Sequence, residues 1–95
     1  MNQEAKLSDL PRPTPPFMAL AQYLNDLRSK AGGMSVSSLK TSLEERGQIL
    51  SLQAIYYWMS GQKRPSTANL EVLCDIFELT TEGCLKLYKL HSRRS

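Results

Sequence analysis

The chain has 95 residues, 41% hydrophobic and 22% charged, a size that suits one small domain and excludes the large barrel and doubly wound enzyme folds. A domain this short commits nearly all its apolar side chains to one core and keeps little for a deep catalytic pocket. No apolar run reaches the roughly 20 residues of a membrane helix, and Met1 to Lys6 show no signal-peptide core, so a cytoplasmic, nucleoid-associated protein is expected.

Residues 1–14 are polar and punctuated by Pro11 and Pro13, with Pro15 and Pro16 directly after, and follow neither a helical nor a strand period. They read as a flexible proline-rich arm ahead of a single domain over 15–95. Thr14 before Pro15 is a helix-start signal, because a proline in the first turn lacks only an N–H that has no partner there. Phe17, Leu20, Ala21, Leu24, Leu27 and Ala31 then recur at three- and four-residue steps, the stripe of an amphipathic helix that Gly32 and Gly33 end.

Ser35 caps a second helix with Val36, Leu39 and Leu43 on one face and Gly47 as its stop. After a short apolar link, Ser51 caps a third, which turns Ala54, Ile55 and Trp58 inward and leaves Leu52, Gln53, Tyr56 and Tyr57 on the other side. Gly61 closes it, and a polar loop of Gln62, Lys63, Arg64 and Pro65 leads to Ser66. That serine caps a fourth helix with Leu70, Leu73, Cys74 and Phe77 inside. Thr80 or Thr81 opens a fifth, which carries Leu85, Leu87, Tyr88 and Leu90. No segment alternates with period two, so the expected fold class is all-α with five short helices.

Cys74 and Cys84 come without a CxxC pair or a second histidine spaced for zinc, and read as reduced core thiols, a single bridge being the lesser alternative. His91 is the one histidine, with no serine or cysteine nucleophile placed beside it, and no carboxylate pair marks a cleft. An enzyme, a metal, a cofactor or a small-molecule substrate is therefore not expected. The charge is more telling. Residues 1–45 and 71–95 are each balanced, so the whole surplus of +3 lies in residues 46–70, which hold Arg46, Lys63 and Arg64 and no carboxylate.

Two capped helices on a short link, the second showing Gln53 and tyrosines and followed by a basic loop, suit the major groove, which admits one helix. Gln53 can bond adenine through both its donor and its acceptor, and Leu52 can lie against a thymine methyl. Tyr56 and Tyr57 reach bases through their rings or phosphates through their hydroxyls, with Tyr57 the preferred groove residue. Lys63 and Arg64 suit the flanking backbone.

The run Ile55-x-x-Trp58-x-x-Gly61-x-x-x-Pro65-Ser66, with Ser35-x-x-x-Leu39 upstream and Leu70-x-x-Leu73 downstream, resembles the lambda-repressor-like (Cro-type, xenobiotic-response-element-type) helix-turn-helix family. The similarity covers residues 17 to about 80. It implies a five-helix DNA-binding domain whose third helix, Ser51 to Ser60, enters the major groove. Leu52, Gln53 and Tyr57 would then face bases, while Ser35, Val36, Lys63 and Arg64 would hold phosphates, and the cap Ser51 joins that phosphate set. Two positions depart from the pattern. Lys40 stands where alanine is usual, and Met59 replaces the acidic residue that commonly follows the tryptophan and pairs with an arginine of the first helix, near whose place Arg28 lies.

The function so implied is a sequence-specific regulator of transcription, a bacterial or phage-type repressor that binds a double-stranded operator as a homodimer. The expected dimer surface is the fifth helix, through Leu87, Tyr88 and Leu90. The alternative is a protein-interaction module, antitoxin-like or a repressor-partner adaptor, that docks through the aromatic outer face of the third helix.

Overall fold

Four serine and threonine hydroxyls set where this chain turns helical. A computed structural model describes residues 15–93, which form α1 (Met18–Lys30), α2 (Val36–Glu45), α3 (Leu52–Met59), α4 (Thr67–Ile76) and α5 (Thr81–His91). Ser35 accepts from the amide of Ser38, Ser51 from Ala54, Ser66 from Asn69 and Thr80 from Gly83. Each such cap satisfies an amide with no partner inside its helix and contributes ~1 kcal/mol. The fold is all-helical, with no strand among the described residues.

Helix α1 begins differently from expectation. It starts at Met18, and Phe17 takes the cap position without a side-chain bond. The Phe17 amide instead donates to the carbonyl oxygen of Gly61 at 2.9 Å, which ties the start of α1 to the residue just past α3. The expected Thr14 cap and the arm over 1–14 lie outside the described residues.

Helix α1 packs on α3 and α5, α2 packs on α3 and α4, and α4 packs on α5. Their shared core takes Leu20 and Leu24 from α1, Leu39 and Leu43 from α2, Ile55 and Trp58 from α3, Leu70 and Leu73 from α4, and Leu87 from α5. Each leucine so enclosed contributes about 1.5–3 kcal/mol by leaving water.

Three expectations are corrected here. Ala31 leaves the apolar stripe and becomes the exposed C-cap of α1. On α5, Leu87 is fully buried while Leu85 is 57% exposed; the two side chains diverge by about 200° on a helix, so burying one turns the other to water. The two cysteines are not free. Cys74 in the last turn of α4 and Cys84 in the first turn of α5 meet across the intervening turn, with Cα atoms 5.7 Å apart, and form a disulfide.

The ends of α2, α3 and α4 share one geometry. In each, the second residue past the C-cap donates to the carbonyl five residues back: Gln48 to Leu43, Gln62 to Tyr57 and Leu79 to Cys74. The pivot residue needs positive φ and is Gly47, Gly61 or, after α4, Glu78 at 51°. Gly61 has a second reason to be glycine. A Cβ there would stand 3.1 Å from main-chain atoms of Phe17 and Met18, so the α1–α3 approach depends on its absence.

Candidate nucleic-acid interface

Residues 46–51 carry the chain from α2 to α3, and the two helices pack through Leu39, Leu43, Ile55 and Trp58. Their burial leaves the other side of α3 to solvent. Leu52 is 40% and Tyr56 54% exposed, one helical turn apart, with Gln53 exposed beside them. No residue of α3 is charged. Ile49, in the link, is 76% exposed.

Tyr57 is only half-buried toward this face, and its ring carries the Lys63 ammonium 4.8 Å from its centroid. Tyr56 is therefore the more exposed of the two rings, where the sequence preferred Tyr57 for the groove. Adjacent helical residues diverge by about 100°, so the two rings cannot face the same way.

The expected phosphate-facing residues fall into three kinds. Ser35 and Ser51 are exposed, but their oxygens cap α2 and α3, and Ser35 also donates to the Ser38 hydroxyl at 3.0 Å. Val36 turns its side chain into the core, as its place on the apolar face with Leu39 and Leu43 requires, which leaves a main-chain amide in the first turn of α2 as its polar group. Lys63 and Arg64 are both exposed and differ in commitment. Arg64 Nη1 donates to the His91 carbonyl at 2.9 Å and its guanidinium lies 5.3 Å from the Phe17 ring. Nε2 of His91 donates to the Pro65 carbonyl at 2.6 Å, so the basic loop and the end of α5 hold each other. Arg46, the third cation of the acid-free window, pairs with Asp75 at 2.7 Å.

Lys40 and Arg28 find their partners locally. Lys40 swings outward to Glu44, one turn on, which keeps its ammonium at the surface while the stem covers α2. Arg28 makes no ion pair with α3. It donates to Asn25 Oδ1 at 2.7 Å and to the Met34 carbonyl at 2.9 Å, while Asn25 Nδ2 donates to the Ala21 and Met59 carbonyls, both at 2.9 Å. An amide side chain thus joins α1 to the last residue of α3. Sequence reasoning missed Asn25; the available signal was a polar residue between Leu24 and Leu27 on the buried flank of α1.

Helix α5 presents Leu85 to solvent and leaves Tyr88 and Leu90 half-buried. An open groove of about 410 Å³ runs between α1 and α5, lined by Tyr23, Asp26, Lys86 and Leu90 among others. No group of residues among those described is arranged to hold a metal ion. No described helix is long and apolar enough to cross a membrane. The class defined by these features is an all-helical fold, with five helices among the described residues, four of them capped by a side chain, and one uncharged helix with a solvent-facing side ahead of a basic loop. No family model matches the chain, and no curated protein or solved structure matches it.

Proposed function

We propose that this chain is a sequence-specific double-stranded DNA-binding regulator of transcription, a repressor of the lambda-repressor-like type that inserts α3 into the major groove. The observation that carries this reading is the outer face of α3, where Leu52, Gln53 and Tyr56 stand exposed beside Lys63 in a window with no carboxylate. Gln53 supplies a donor and an acceptor for a base edge, and the rings and hydroxyls around it suit the groove walls. The amide of Val36 and the ammonium of Lys63 lie at the ends of the helix pair and suit phosphates.

One recognition helix buries too little surface for specific binding, so the protein acts as a homodimer on two half-sites about 34–36 Å apart. With Leu87 in the core, the dimer face on α5 is Leu85, Tyr88 and Leu90. Sedimentation at tens of micromolar with operator is expected to give two protomers per duplex; monomer alone would remove the dimer.

The exposed apolar side chains of Ile49, Leu52 and Tyr56 favour one second reading, a module that docks on another protein. Selection from a randomised duplex pool at about 50 and 200 mM salt separates the two. A palindrome retained at both salts is expected. Unselected DNA that is lost at the higher salt would instead make α3 a protein-docking helix.

A further inference from the structure

We propose that α3 reads A·T pairs and that the 5-methyl group of thymine, met by Leu52 and Tyr56, supplies most of its discrimination; this rests on the DNA-binding reading above. The commonest specific contact to a base, arginine or lysine on guanine O6 and N7, has no donor here, because α3 holds no charged residue. Its one amide side chain is Gln53, whose paired donor and acceptor match adenine N6 and N7. The flanking side chains are apolar or aromatic and remain exposed, Leu52 at 40% and Tyr56 at 54%.

An apolar side chain pressed into the major groove meets one apolar group on a base edge, the thymine methyl. Set against cytosine, the same side chain would cover the N4 donor and leave it unbonded, which is costly. Leu52 precedes Gln53 by one residue and Tyr56 follows it by three, so all three share the solvent side of one turn. A glutamine on adenine with an apolar neighbour on an adjoining thymine is the pairing this spacing permits. Ile49, three residues ahead of Leu52, extends the apolar set toward the link. Residues 46–70 contribute no carboxylate of their own, and of their three cations Lys63 is exposed with no ion pair among the described residues, while Arg46 is held by Asp75.

The test runs the duplex selection twice, once with thymine and once with deoxyuridine, which pairs identically and lacks the methyl. Wild-type protein and Leu52→Ala are then titrated against the best thymine duplex and its uracil copy. Leu52 lies outside the core, and circular dichroism verifies that the variant folds. The expected result is half-sites of A·T pairs, with affinity falling about fourfold for each contacted methyl removed. Leu52→Ala should cost about fourfold on the thymine duplex and little on the uracil copy. An enriched motif of G·C pairs, equal binding to both duplexes, or the same loss for Leu52→Ala on each overturns methyl readout and leaves DNA recognition standing. No enriched sequence in either pool overturns DNA recognition and this inference with it.

Discussion

Asn25 Nδ2 donates to the Met59 carbonyl oxygen at 2.9 Å, which fixes the C-terminal end of α3 to the middle of α1. The same amide donates to Ala21, and its oxygen accepts from Arg28, so one side chain sets three partners. Asn25→Ala should lower stability by about 1–3 kcal/mol, read from urea unfolding, because it strands part-buried polar groups. Asn25→Asp should not rescue it: a carboxylate keeps Arg28 and cannot donate to either carbonyl.

The helix ends give paired substitutions of opposite sign. Gly61→Ala places a Cβ 3.1 Å from the main chain of α1 at a φ of +79°, and should cost more than about 2 kcal/mol. Gly47→Ala meets open space at a similar φ and should cost only the conformational part, about 1–2 kcal/mol. Glu78→Gly relieves a positive φ of 51° in the same geometry after α4 and should be neutral to stabilising by about 1 kcal/mol. Thermal melts of the three rank them directly.

Four of the helices were legible in the sequence because their starts and most stops rest on a residue that acts locally: Ser35, Ser51, Ser66 and Thr80 as caps, Gly47 and Gly61 as left-handed stops. What escaped depends on chain segments far apart. Nothing in the run Glu82 to Leu90 says which leucine turns inward, since α1 and α4 decide that by where they meet α5. The α4 stop escaped because Glu78 does the work of a glycine, and the Cys74–Cys84 bridge stood only as the lesser alternative because the turn that brings the two together was not read. The outward face of α3 was readable apart from the choice of tyrosine, whereas Asn25 to Met59, 34 residues apart, left no periodic trace.

The disulfide closes a loop of sequence separation 10 and so restricts the unfolded chain. Reduction, or Cys74→Ser with Cys84→Ser, should lower stability by about 3 kcal/mol on the chain-entropy scale. Both cysteines of the chain are in the bridge, so unreduced protein unfolded in denaturant should show no reactive thiol.

Lys63 and Arg64 are neighbours with different attachments, and their alanine variants should separate. Lys63→Ala should leave the melting temperature nearly unchanged and reduce the log–log salt slope of DNA binding by about 0.9, the loss of one phosphate contact. Arg64→Ala should cost about 0.5–1.5 kcal/mol of stability, because it breaks the bond to the His91 carbonyl and leaves the Phe17 ring.

If α3 reads base edges, Gln53→Ala will show it in the affinity for the selected operator and for each of its single-base variants. The expected result is a loss of about 1–3 kcal/mol on the operator, with discrimination relaxed at one base pair in each half-site and retained at the others. An unchanged affinity, or a loss spread evenly over every position, would contradict it.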